Sequence, residues 1–355
     1  MKPRDRFLEA VYLGEPDTVP VFELWLADTI VEQIIGEKPR STADTVTRLR
    51  CHQKLGLDAF VAWEAGSLPT PVGEEIYIDE WGRKWKSSAV SDIGFYVGPT
   101  MKGPDDVKNF EPPNPNAPER LEPFEKAVRM ARGEKAIVAG IHDVFELPCL
   151  MYGQERFLLS LITDPSTAKR LIEMSFKFNV EVAKAVVDLG IDAVLSGDDY
   201  AYKSGPFMSP KTFERYFYPY IKELAFTVRK RGVPFIKHCD GDHRLLMSYW
   251  VQCANAVCSF EGPDTPLGNV NYLAEMKEKY GDCVCLMGNI NSSHTLLLGT
   301  KQDIIEETRR CIEVAAPGGG YALCSDNAVM RSVPIENCLA IPEASRKYGK
   351  YPLIK

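Results

Sequence analysis

The sequence predicts a (β/α)8 barrel, the TIM-barrel class, and three observations carry that expectation. Eight short apolar or β-branched runs alternate with longer amphipathic stretches, the pattern of parallel β/α units. No GxGxxG follows the first run and no linker divides the chain, so the doubly wound alternative lacks its usual marks. The ends of the runs are also rich in carboxylates, amides and imidazoles, as expected where barrels place their sites. The chain, 1–355, reads as one barrel domain.

The runs are Val19 to Trp25, Asp58 to Ala65, Ala136 to His142, Asp192 to Asp199, Val233 to Cys239, Ala256 to Gly262, Cys283 to Ile290 and Gly319 to Asp326. Helical periodicity fills the gaps, most clearly over Gln154 to Leu189, Pro210 to Arg231, Val270 to Tyr280 and Lys301 to Val314. Gly318-Gly319-Gly320 lacks phosphate-loop spacing and reads as a helix C-cap feeding the last strand. After the second strand, Ser67 to Pro115 interrupts the alternation. Glu74 to Asp79 and Trp81 to Lys86 read as a β-hairpin followed by a Pro-rich loop, an excursion over one barrel end.

With 355 residues, folding buries roughly three quarters of the unfolded surface, so a large core needs no disulfide or structural metal. The net charge of −7 disfavours nucleic acid and anionic membrane surfaces as partners. No signal peptide or apolar span is evident, and ten scattered cysteines suit a reducing compartment, so the expected location is cytoplasmic.

The strand ends present, in order, Glu23 and Trp25; Glu64; His142 and Asp143; Asp198, Asp199 and Tyr200; His238, Cys239 and Asp240; Glu261; Asn289 and Asn291; and Cys324, Asp326 and Asn327. Taken singly, Asp and Asn here are N-cap residues. Together they describe a rim able to hold a cation or manage protons. The fifth strand is the sharpest signal, because alternate residues share a face: His238 and Asp240 point one way and Cys239 the other. His-x-Asp suits a divalent metal, or an acid with its orienting carboxylate. Cys324 is a candidate soft ligand to the same site, which would favour zinc. Trp25, Trp63 and Tyr200 are candidate apolar walls, and His52, His243 and His294 read as surface or cap residues.

Lys237 to Asp242 (KHCDGD), Met287 to Asn291 with Leu298-Gly299-Thr300, and Pro317 to Asn337 resemble the uroporphyrinogen decarboxylase superfamily. Val144-Phe145-Glu146 with Tyr152 to Glu155, and Gly197-Asp198-Asp199 leading to Gly205 to Pro210, resemble it too. The resemblance implies a (β/α)8 barrel, a homodimer, and either a decarboxylase or a corrinoid-dependent methyltransferase. Decarboxylases of the superfamily carry an arginine-rich motif, resembling RQAGR, after the first strand. This chain has Glu23 to Asp28 (ELWLAD) there, and Glu23, Glu64, Asp198 and Asp199 would repel a polyanion. The methyltransferases hold zinc by His-x-Cys and a later Cys. Here His238 is kept, Asp240 stands for the first Cys, and Cys324 lies about three positions before Asn327, where the second would align. The resulting harder site suits C–O cleavage better than thiolate activation.

The resemblance therefore implies transfer of a methyl group from a methoxylated or methylated small molecule to a separate corrinoid protein, as in the first methyltransferase of an O-demethylase. His238, Asp240 and Asp326 would be catalytic, with zinc on His238, Asp240 and Cys324. Glu23, Trp25, Glu64, His142, Asp198, Asp199, Tyr200, Glu261, Asn289 and Asn327 would face the substrate. A lyase acting on a non-porphyrin acid is the alternative.

Overall fold

The computed structural model describes residues 1–88, 94–263, 265 and 267–353, so residues 89–93 of the excursion lie outside it. Seven parallel strands form one curled sheet in the order Ala59–Trp63, Ala136–Ile141, Ala193–Ser196, Phe235–His238, Ala256–Cys258, Cys285–Met287 and Tyr321–Ala322. The predicted first strand closes this sheet without becoming a regular strand. Val21 bridges Leu323 in parallel, Phe22 N donates to Leu323 O at 3.0 Å, and Asp58 N donates to Val21 O at 2.6 Å. Pro20, which has no N–H to give a ladder, explains the interruption.

Side-chain alternation divides the core into two layers. Ala59, Val61, Ala136, Val138, Ala193, Leu195, Ile236, Ala256, Cys258, Met287, Ala322 and Cys324 fill the barrel interior, plugged below by Phe7 and Val11 of the helix Pro3–Val11. The intervening strand residues pack outward under the helices. The predicted helix over 210–231 divides into Pro210–Tyr216 and Tyr218–Arg229, with Pro219 in the first turn of the second. Before the last strand, Gly319 takes φ 76° and runs so close to Gly14 that a Cβ would lie 2.4 Å from its carbonyl oxygen.

Lys237 belongs to the outer layer by the same alternation, and it is wholly buried. Its Nζ lies 2.9 Å from Asp143 Oδ2 and donates to Asp198 O at 2.9 Å, beneath the Tyr200 and Trp250 rings. Asp143 also accepts from Tyr200 OH at 2.5 Å, Ser196 Oγ at 2.6 Å and Val144 N at 2.5 Å. Burial works against the ammonium, but Asp143 and Asp198 outweigh it and hold Lys237 charged. This buried pair ties the third, fourth and fifth strand ends together directly below the rim.

The excursion is a four-stranded antiparallel sheet, Thr70–Gly73, Ile76–Ile78, Arg83–Lys86 and Phe95–Pro99, larger than the predicted hairpin. Asp79 organises its central turn, accepting from Trp81 N, Arg83 N, Arg83 Nε and Trp85 Nε1 at 2.6–3.0 Å. Arg120 fastens it to the barrel, reaching Glu64 at 2.9 Å and Glu80 at 2.6 Å from a guanidinium that is 2% exposed. Among the described residues, no helix is long and apolar enough to cross a membrane.

Candidate functional site

At the end of strand Phe235–His238 the imidazole turns inward over the barrel. His238 Nε2 lies 3.2 Å from Asp240 Oδ1 and 3.7 Å from Asp199 Oδ1. Asp199 in turn accepts from Asp240 N at 2.8 Å, so the two carboxylates are fixed to one another through the backbone. Asn327 Nδ2 donates to Asp240 Oδ2 at 2.6 Å and to Glu261 Oε1 at 3.2 Å, and Gly241 N donates to Glu261 Oε2 at 3.0 Å. Burial, then Asp240 and Glu146, push Asp199 well above the usual carboxylate range. Burial opposes charge on His238, and the neighbouring Asp240 overcomes it and raises the imidazole. One nitrogen and two carboxylate oxygens within 4.8 Å of one another form a candidate cation site. Its two carboxylates, Asp199 and Asp240, border a cavity of about 360 Å³ together with Glu146, Glu261 and Asn327, and the His238 ring lies buried behind them.

A second imidazole stands two strands away, just beyond Ala136–Ile141. His142 Nδ1 is 2.8 Å from Asp198 Oδ1 and 3.4 Å from Glu146 Oε2. The Asp198 carboxylate is fully buried, and its other oxygen accepts from Phe145 N at 2.8 Å and Glu146 N at 3.0 Å. Burial disfavours charge on both groups. The contact between them prevails, holding Asp198 ionised and raising His142 well above the ordinary imidazole value.

His142 also lines a cavity of about 550 Å³ walled by Trp25, Trp63, Trp85, Leu150 and Met330. Arg83 and Arg331 border it as well. Arg48 stacks on Trp25 at 3.8 Å from its ring centroid, and Gly140 and Gly197 make room for Trp63. A Cβ on Gly140 would meet the Trp63 ring at 2.6 Å. Gly140→Ala is therefore expected to cost about 1–3 kcal/mol through overpacking, read as a lower urea midpoint with unchanged slope. Both cavities touch Glu146 and Leu150, so they meet at one rim.

Of the predicted site residues, His238, Asp240, Asp199, Glu261 and Asn327 converge, and Trp25 and His142 line the adjoining cavity. Several others are committed elsewhere. Glu64 is paired with Arg120. Glu23 is buried on the backbone N–H and hydroxyl of Ser325, and burial raises it to about 8. Tyr200 is fully buried with its hydroxyl on Asp143, stacked on Phe145, and forms no pocket wall. Asn289 clamps the backbone of Phe260 through both amide atoms. Asp326 accepts from Asn269 Nδ2 at 2.6 Å and Ser292 N at 2.9 Å.

Cys324 lies in the barrel interior beside Cys258, whose thiol reaches His238, and it stands outside the Asp199–His238–Asp240 group. His52 is buried rather than on the surface, while His243, buried between Phe260 and Tyr272, and His294 stand at the N-cap positions of Arg244–Leu246 and Thr295–Leu298. Trp85 and Arg83 went unnoticed in the sequence because they come from the excursion; only the Trp-rich hairpin pointed towards them.

Comparison with known proteins agrees with this architecture. The methylcobamide:CoM methyltransferase MtaA of Methanosarcina barkeri is 26% identical over 212 residues, 60% of this chain, and the chain spans only 58% of that relative's length. The uroporphyrinogen decarboxylase of Geobacter metallireducens is 22% identical over 98% of this chain and 99% of its own. A solved methyltransferase from Methanosarcina mazei superposes with a TM-score of 0.77 at 19% identity, covering 98% of this chain and 99% of that one, which shows a shared fold. The uroporphyrinogen decarboxylase (URO-D) family profile matches residues 88–348, and the chain belongs to that family.

Proposed function

We propose that this protein transfers a methyl group from a methoxylated small molecule to a separate corrinoid protein, as the first methyltransferase of an O-demethylase does. The observation that carries this reading is the Asp199–His238–Asp240 group, set on a rim shared with a cavity walled by three tryptophans. The name of the M. barkeri relative, a methylcobamide methyltransferase, supports a corrinoid partner.

An imidazole nitrogen and two carboxylate oxygens fit zinc, and bound there zinc would withdraw charge from the departing oxygen. The chain's own residues do the rest. Trp25, Trp63 and Trp85 receive the apolar body of the donor. Asn327 holds Asp240 and Glu261 in place by donating to both. The carboxylates of Asp240 and Glu146 disfavour a polyanionic porphyrinogen near the group.

The test is incubation of purified protein with free cob(I)alamin and a panel of methoxyarenes, read as methylcobalamin by absorbance and as demethylated product by chromatography. Both products are expected in equal amounts. Carbon dioxide release from carboxylated donors, with no methylcobalamin, would instead establish the lyase reading, which the full-length decarboxylase relatives favour.

A further inference from the structure

The rim holds two imidazole groups, each a ring nitrogen beside two carboxylate oxygens, and the second, His142 with Glu146 and Asp198, has no task in the chemistry proposed above. We propose that His142, oriented by Asp198, is the proton donor to the oxygen that leaves when the methyl group is transferred. This inference rests on the methyl-transfer reading and divides the labour of that site between a cation group at His238 and a Brønsted acid at His142.

The geometry separates the two groups. Asp198 Oδ1 faces His142 Nδ1 at 2.8 Å, while Asp198 Oδ2 accepts two backbone N–H groups, from Phe145 and Glu146. The carboxylate is thus held by three donors and cannot rotate, and it fixes the tautomer and plane of the ring. Lys237, donating to the Asp198 carbonyl at 2.9 Å, braces the backbone from below. With Nδ1 committed, Nε2 is the nitrogen available to the cavity that His142 lines with Trp25, Trp63 and Trp85. The ring is 30% exposed, enough to reach a bound donor and to exchange its proton with solvent. His142 Nδ1 sits 2.8 Å from Asp198 Oδ1, at hydrogen-bond distance, whereas His238 Nε2 is 3.2 and 3.7 Å from its two carboxylates.

The step balances as follows. The methyl carbon passes to the electron pair of Co(I) on the corrinoid partner, forming a cobalt–carbon bond. The C–O bonding pair stays on oxygen, the proton on His142 Nε2 moves to that oxygen, and the alcohol or phenol departs. Water then reprotonates His142. Cobalt is formally oxidised from Co(I) to Co(III), and the methyl group leaves its donor as a cation equivalent.

The charged surroundings favour a protonated ring. Asp198 and Glu146 face it directly, Glu64 and Glu80 behind it are spent on Arg120, and Arg83 and Arg331 stand across the cavity. The acid is then present below its raised pKa, and the rate falls as pH rises through that value.

Two measurements test this. The first uses methyl aryl ethers whose phenols differ in acidity, with free cob(I)alamin as acceptor. His142→Gln is expected to lose about 10²–10⁴-fold on ethers of weakly acidic phenols, and little on a nitrophenyl ether, whose oxygen leaves unaided. Metal content is expected to remain that of wild type. An equal loss on all ethers, or none, overturns the assignment while leaving methyl transfer intact. No transfer by the wild type from any ether overturns the underlying reading instead. The second needs no donor: NMR titration of ¹⁵N-histidine-labelled protein is expected to show His142 titrating above 6.5 and shifting down in Asp198→Asn. A His142 already neutral at pH 6.5 in the wild type overturns the proposal.

Discussion

Lys237→Ala is expected to destabilise the protein by about 3–5 kcal/mol, because it strands the Asp143 carboxylate in a wholly buried site. Three hydrogen bonds, from Tyr200, Ser196 and Val144, would remain on that carboxylate, but the compensating charge would be gone. Urea unfolding monitored by circular dichroism measures the loss. The double variant Lys237→Met with Asp143→Asn is expected to recover much of it, since the amide oxygen still accepts and no charge is left buried. A loss below about 1 kcal/mol in the single variant would show that the pair does not hold the strand ends.

His238→Ala is expected to abolish methyl transfer to within about a thousandfold of the uncatalysed level while the fold persists, since removal of the Lewis-acid contribution costs several kcal/mol at the transition state. The fold should survive because, among the described residues, the contacts of the imidazole are to the side chains of Asp199, Asp240 and Cys258 and not to a helix cap. Asp240→Asn should lose less, since an amide oxygen still ligates weakly and Asn327 stays nearby. Full activity in His238→Ala would place the chemistry elsewhere on the rim.

Much of this was legible in the sequence. The β/α alternation located every regular barrel strand to within a few residues, because runs buried on both sides must be apolar. The first run, Val19 to Trp25, was read as a strand like the others, and Pro20 within it explains why it closes the barrel through bridges instead. The His238–Asp240 pairing followed from the period of two in an extended chain. What escaped was non-local. Nothing near Glu64 announces that Arg120, 56 residues on, would take its carboxylate. Tyr200 and Asn289 sit at strand ends yet turn into the helix layer and a loop clamp, choices set by packing against Phe145 and Phe260. Cys324 lies in the barrel interior beside Cys258, a contact between strands far apart in the chain. The His142–Asp198 contact joins two strand ends that sequence shows only as separate candidates.

The most direct test of the metal site is metal content, by atomic spectroscopy, of purified wild type beside His238→Ala and Asp240→Ala. About one zinc per wild-type chain is expected, lost in both variants with folding retained. A wild-type protein that neither contains nor takes up zinc, or variants that keep it in full, would contradict the assignment of the Asp199–His238–Asp240 group.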